Sequence, residues 1–357
     1  MYSSSTATMQ TGKRNEGQTS AQLVDQYSRT ISYLRLSITD RCNLRCLYCM
    51  PQQGLNSSSL VKCADLLSYE EMLRIVRIAV GMGMNKLRLT GGEPLVRNGV
   101  MDFIRSLAGI KRLEDIRLTT NGVLLHEKAA ELYDAGIRNL NISLDSMQPE
   151  RFKAITGADL FDQVWQGIQT ACDLGFNVKL NMVAMKGIND DEFADFARLA
   201  TQGPMQVRFI EFMPIGNKES WDRSRFISAG ELKEIFSTLG TLEPVAGSRM
   251  EGPARVYQLT TADGRSGRLG FISPISHHFC DKCNRLRLTS EGRLRACLLH
   301  NHETDLKAIL RQGGTDSDIQ AAIQQTILNK PKGHTLQDDL AGNDQVNCQG
   351  QMSRIGG

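Results

Sequence analysis

From Tyr33 to about Met213 the chain alternates short apolar runs with longer stretches in which apolar residues recur at helical spacing. The short runs read as strands: YLRLSIT (33–39), KLRLT (86–90), DIRLTT (115–120), NLNISLD (139–145), NVKLNMVAM (177–185) and MQVRFIEFM (205–213). The longer stretches read as amphipathic helices, at 68–83, 125–136 and 189–201. Ser68, Asn189 and Ser228 stand where helix N-caps are expected, and Glu71 and Glu192 follow the first two as in a capping box. Repeated βα units predict a parallel sheet with right-handed crossovers. Six such units without an obvious seventh and eighth predict an α/β fold, an incomplete (βα)6 TIM-type barrel.

Past residue 250 the pattern changes to short strands, VYQLT and GRLGFIS, followed by FCDKCNRLRLTSEGRLRACL. At 357 residues the chain exceeds what one growing core usually serves, so a main domain with a smaller appendage is expected. The expected division is a flexible leader over 1–30, the partial barrel over 31–250, a C-terminal α+β extension over 251–340, and a tail over 341–357. Several strands carry a polar residue inside an apolar run: Arg35, Arg88, Thr119, Asn141, Ser143, Lys179, Asn181 and Glu211. Charges are rarely buried unpaired. Repeated in successive strands whose outer faces helices should cover, these residues predict a wet interior lined with cations.

The net charge of +3 is too small for a nucleic-acid or membrane surface, so anion specificity must come from locally placed Arg and Lys. No apolar run is long enough to span a membrane, and the opening residues are Ser/Thr/Gln-rich without a signal core. Nine cysteines, an odd number with two compact groups far apart, fit metal binding in a reducing compartment better than a disulfide framework. A cytoplasmic protein is expected.

The first group, Cys42, Cys46 and Cys49 in TDRCNLRCLYCM, begins just after the first strand, at the end where barrel chemistry gathers. Three thiolates on one tight loop would hold three irons of a cubane and leave the fourth open to an outside ligand. A zinc site or unrelated core thiols are the alternatives; structural zinc prefers four protein ligands. The C-x3-C-x2-C spacing resembles the signature of the radical S-adenosylmethionine superfamily. The Gly91-Gly92-Glu93-Pro94 turn after the second strand resembles the element by which its members hold the cofactor's amino group. The second group, Cys280, Cys283 and Cys297, again lacks a clear fourth ligand, although His277 and His278 leave a zinc site open. Arg285 and Arg287 are two apart and share a face if RLRLT is a strand, a pairing suited to phosphate. Cys172 reads as a helix core position, and Cys63 and Cys348 have no partner motif.

Both groups together with CNRLRLT, the NKPKGH segment at 329–334 and the Gly356-Gly357 pair resemble the GTP 3′,8-cyclase family of molybdenum cofactor biosynthesis, over roughly residues 30–357. The resemblance implies that Cys42, Cys46 and Cys49 ligate a first 4Fe-4S cluster and Cys280, Cys283 and Cys297 a second. It implies S-adenosylmethionine contacts at Tyr48, Gly92, Ser143 and Met213, and GTP contacts at Arg35, Arg88, Thr119, Lys179, Arg285, Leu286 and Arg287. In that family a 5′-deoxyadenosyl radical takes the C3′ hydrogen of GTP, and the carbon radical closes onto C8. Gly356 and Gly357 would reach into the cavity, with Arg354 bringing a guanidinium near the nucleotide. A one-electron donor and a downstream cyclic pyranopterin monophosphate synthase are the implied partners, and a homodimer is left open. A peptide-modifying maturase of the same superfamily and a non-enzymatic zinc protein are the rival readings.

Overall fold

The computed structural model describes residues 23–49, 60–215, 221–246, 252–334 and 352–356. Six strands, β1 (Tyr33–Ser37), β2 (Lys86–Thr90), β3 (Asp115–Thr120), β4 (Asn139–Ser143), β5 (Asn177–Ala184) and β6 (Gln206–Glu211), lie side by side in chain order and all parallel. Between them run α1 (Tyr69–Gly81), α2 (Val100–Ala108), α3 (Leu125–Asp134), α4 (Pro149–Thr156), α5 (Phe161–Asp173) and α6 (Phe193–Gln202). Their apolar stripes bury Ile75, Phe103, Leu132, Ile168 and Phe196 against strand residues such as Leu36, Leu89, Leu118 and Leu140 in one continuous core.

Local sequence sets several boundaries. The Ser68 hydroxyl accepts from the Glu71 backbone N–H while the Glu71 carboxylate accepts from the Ser68 N–H. Ser228 and Glu231 repeat that box at the start of α7 (Ala229–Ser237), each such cap contributing about 1 kcal/mol. Asn189 stands at the N-cap position of a 3-10 turn (Asp190–Glu192) that runs into α6, but it makes no side-chain cap bond. Its side chain donates to the carbonyls of Asp145 (2.8 Å) and Val183 (3.0 Å), and α6 begins only at Phe193. Glu192 is buried and accepts from Ser146, the Met147 N–H and Arg151, so long-range bonds claim both residues.

The C-terminal strands are β7 (Gly240–Pro244), β8 (Arg255–Thr261), β9 (Ser266–Ile272), β10 (Arg285–Leu288), β11 (Arg293–Arg295) and β12 (Glu303–Asp305). They do not form a separate sheet. β9 adds parallel to β6 and β10 adds parallel to β1, so the twelve-stranded sheet runs β12-β11-β10-β1-β2-β3-β4-β5-β6-β9-β8-β7. Helices α8 (Leu306–Arg311) and α9 (Asp316–Leu328) follow, the latter packing on α1. The leader expected over 1–30 falls partly outside the described residues. Its last part, from Leu23 to Thr30, is a packed hairpin with Leu23, Asp25 and Arg29 buried, because Arg29 finds carbonyl partners in the C-terminal region. A short helical turn, α10 (Met352–Ile355), ends the described chain.

Candidate active site

The first cysteine loop leaves β1 and is tied down from two sides. The Arg45 and Leu47 N–H groups donate to the carbonyls of Thr156 and Ile155 at the end of α4. On the other side, the Gly92 N–H donates to the Thr39 carbonyl (2.7 Å) and the Glu93 N–H to the Arg41 carbonyl (2.8 Å). Position 92 must be glycine here: a Cβ would lie 2.2 Å from the Arg41 carbonyl oxygen. Cys42, Cys46 and Cys49 line a cavity of about 310 Å³, and Cys280, Cys283 and Cys297 line the same cavity. None of the described cysteines is in a disulfide.

The same cavity wall carries a row of arginines. Arg35 on β1 is in register with Arg88 on β2 and with Arg287 on β10, one strand spacing to either side. Arg285 and Arg208 join them in the cavity wall. Parallel register puts paired residues on the same face, so the like charges crowd one another. Burial, then Arg287, holds the Arg35 pKa well below its ordinary value; burial and then Arg285 bring Arg287 to about 10. The carboxylates that share the wall are already engaged. Glu211 accepts from the backbone N–H groups of Ala229, Ile275 and Ser276, and Asp145 accepts from the Val183 N–H and the Tyr48 hydroxyl. Like cations buried side by side are costly to maintain and favour a polyanionic ligand.

The surroundings of the triplets differ in charge. Burial, followed by Glu93, pushes the Cys42 thiol up to about 11; burial, followed by Asp145, pushes Cys46 up; burial, then Cys42, pushes Cys49 to about 12. For Cys283 burial also acts upward, yet Arg285 and Lys330 outweigh it and bring the thiol down to about 6. Three thiols on one tight loop, facing a shared cavity beside a glycine cradle, fit an iron-sulfur cluster as donor chemistry. His277 and His278 are exposed and do not line the cavity, so neither stands as a fourth ligand.

Two family models divide the chain: the Radical SAM superfamily model matches residues 36–200 and the Molybdenum Cofactor Synthesis C model matches residues 205–336. A GTP 3′,8-cyclase of Thermodesulfovibrio yellowstonii is 49% identical over 87% of this chain and 94% of that relative. This chain belongs to the GTP 3′,8-cyclase family. A second cyclase, from Heliobacterium modesticaldum, is 46% identical over 94% of this chain and all of the relative. In fold, the chain is similar to the crystal structure of Streptococcus suis SuiB bound to S-adenosylmethionine, with a TM-score of 0.56 at 14% identity over 82% of this chain and 68% of that one. The α/β radical SAM fold with its parallel sheet is therefore secure.

Of the residues expected to serve this cyclase family's cofactor, Tyr48, Gly92, Ser143 and Met213 all line the cavity. Of those expected to meet nucleotide, Arg35, Arg88, Thr119, Arg285 and Arg287 do. Lys179 is buried on the face of β5 that carries Asn181 but is not among the cavity-lining residues. Leu286 is not among the cavity-lining residues: alternation along β10 turns its side chain into the apolar core. Gly356 is at the site, its carbonyl accepting from the Arg287 guanidinium; its φ of 71° and a would-be Cβ 2.3 Å from Thr90 Oγ1 explain the glycine. The Ser353 N–H meets the Cys49 thiol, and Met352 lines the cavity. Gly357 lies outside the described residues. Arg354 is not among the cavity-lining residues and approaches Glu291 at 4.0 Å.

Sequence reasoning missed Tyr33 and Arg208, both in the cavity wall. Tyr33 is buried, its phenol oxygen accepting from Arg88 Nε at 2.6 Å. Burial raises its pKa, but Arg88, Arg35 and Arg285 outweigh burial and bring it to about 7. The signal for both residues was present as further polar positions in the alternation of β1 and β6.

Proposed function

We propose that this protein is a radical S-adenosylmethionine GTP 3′,8-cyclase that converts GTP to (8S)-3′,8-cyclo-7,8-dihydroguanosine 5′-triphosphate, the first step of molybdenum cofactor biosynthesis. The observation that carries the reading is the single cavity shared by both cysteine triplets and the arginine row. The parallel sheet is read as an incomplete (βα)6 barrel whose C-terminal extension holds a second 4Fe-4S cluster on Cys280, Cys283 and Cys297. Cys42, Cys46 and Cys49 would hold the first. The clusters supply, when bound, the electron that cleaves S-adenosylmethionine and an open iron for the purine.

The chain's own residues supply position. Gly92 lets the β2 loop lie against the cysteine loop, where S-adenosylmethionine would sit beside a cluster held by Cys42, Cys46 and Cys49. Arg35, Arg88, Arg285 and Arg287 take the triphosphate, and Thr119, held by Arg88 Nη1 at 3.3 Å, faces the same space. Fixing the ribose C3′ near the radical source matters most, because an unguided carbon radical attacks protein or solvent. A one-electron donor must act from outside. Anaerobic incubation of the iron-loaded protein with GTP, S-adenosylmethionine and a reductant is expected to yield 5′-deoxyadenosine and the cyclised nucleotide together. A colourless protein without absorbance near about 400 nm would point instead to zinc, which is d10.

A further inference from the structure

The N-terminal hairpin carries a buried ion pair outside the cavity. Asp25 Oδ1 accepts from the backbone N–H groups of Tyr27 and Arg29, both at 2.9 Å, which closes the turn and leaves Oδ2 for Arg29 Nε at 2.6 Å. The rest of the Arg29 guanidinium is spent on a distant part of the chain. Nη1 donates to the carbonyls of Cys280 and Lys332, each at 2.9 Å, and Nη2 donates to the carbonyl of Pro331 at 2.6 Å. Arg29 thus bridges the first cysteine of the second triplet and the strap at 330–334.

The strap reaches the other two cysteines as well. The buried Lys330 Nζ donates to the carbonyl of Arg285, two residues past Cys283, and to that of Ala296, which precedes Cys297. The His334 N–H bonds the Cys280 thiol, and a Cβ on Gly333 would stand 3.8 Å from Cys280 Sγ. An arginine fits the hairpin position because only its planar fork can serve a carboxylate and several carbonyls at once. Desolvating such a cation is repaid by charge-assisted bonds on every nitrogen.

We propose that the Asp25–Arg29 hairpin is a clamp that positions the second cysteine triplet, by locking the strap against Cys280, and that it has no part in holding the first triplet. The inference rests on reading Cys280, Cys283 and Cys297 as cluster ligands. Arg29 is a positioning residue; it does not touch the cavity.

The test loads Arg29→Gln, Asp25→Asn and Cys283→Ala full-length proteins with iron and sulfide without oxygen, then measures iron, the electron paramagnetic signal of each cluster, and S-adenosylmethionine cleavage. Cys283→Ala should keep roughly half the iron. Arg29→Gln should fall toward that value, and Asp25→Asn should fall less, with the first cluster's signal and cofactor cleavage retained. In metal-free protein, mass-spectrometric alkylation should run several-fold faster at Cys280 in Arg29→Gln than in the unchanged chain, with Cys42 unaltered. Arg29→Lys, which keeps the charge but not the fork, should fall between the two, and is read in place of Arg29→Gln if that variant does not fold. Full iron and unchanged alkylation in the Arg29 variants overturn the clamp. Equal loss at both triplets overturns its selectivity. Full iron in Cys283→Ala overturns the cluster reading instead.

Discussion

The two cysteine triplets present the same donors to one cavity from opposite electrical surroundings. The first is set among carboxyl groups: Glu93 and Asp145 are buried nearby, burial raising their own pKa values to about 7 and about 6. The second has cations acting on Cys283, Arg285 and then Lys330, although burial still raises Cys280. A chamber polarised this way suits a cationic sulfonium at one end and a polyphosphate at the other. The difference also separates two tasks. Thiols kept neutral must release protons as metal binds, whereas Cys283 already favours the thiolate.

The comparison breaks most sharply under removal of a thiol. Cys46→Ala is expected to abolish S-adenosylmethionine cleavage, because two thiolates cannot keep a cubane with one open iron, whereas Cys283→Ala should keep cleavage and lose cyclised product. Iron quantification with product analysis separates the two; full iron in both would show that the triplets do not hold separate clusters.

A second expectation concerns the metal-free protein at pH 7. Cys283 should alkylate on the order of tenfold to a hundredfold faster than Cys42 or Cys49, the thiolate advantage being partly offset by lower intrinsic nucleophilicity. The gap should narrow as pH rises toward about 11 and the Cys42 thiol ionises. Equal rates, read by peptide mass spectrometry, would remove the electrical contrast.

On the basic side, Arg285→Ala and Arg287→Ala should each weaken GTP binding by roughly tenfold to a hundredfold, the worth of a charge-assisted bond of about 1.5 to 3 kcal/mol. S-Adenosylmethionine affinity should hardly move. Calorimetric titration of both ligands decides it, and equal weakening would mean that these arginines only support the fold.

The smallest effect sharpens the contrast at its edge. Tyr33 titrates near pH 7 because Arg88, Arg35 and Arg285 outweigh its burial. Above that pH the phenolate balances the arginines that a triphosphate needs, so GTP affinity should fall as pH rises through 7. Tyr33→Phe removes the competing anion. Its affinity should exceed that of the unchanged chain by a few-fold at about pH 8.5 and match it near pH 6, in line with proton linkage. Parallel pH profiles would leave Tyr33 without a role in binding.

Much of the parallel six-stranded part was legible because its signals are local. Apolar runs flanked by polar breaks placed β1 to β6 within a few residues, serine followed by glutamate at a fixed offset placed the start of α1, and an N-cap serine alone placed the start of α7. Asn189 and Glu192 carry a similar local signal and mark where the helical stretch begins, but contacts with Asp145, Val183 and Arg151 claim their side chains, so no capping box forms. Leu286 was expected from the family resemblance, but strand alternation sends its side chain to the core. The hairpin at 23–30 looked like the end of a leader because its partners lie some three hundred residues away.

The sequence alone determined the ligand chemistry: two groups of thiols, a glycine cradle and interior arginines follow from residue types and short spacings, which do not depend on the rest of the chain. Only the tertiary structure decided that these form one site. β10 pairs with β1, placing Arg287 beside Arg35 and Arg285 beside Tyr33, and so brings the second triplet to the cavity that the first one lines. Strand pairing between distant segments is governed by the packing of whole faces and by loop closure, and a local pattern carries no record of which edge a strand will join.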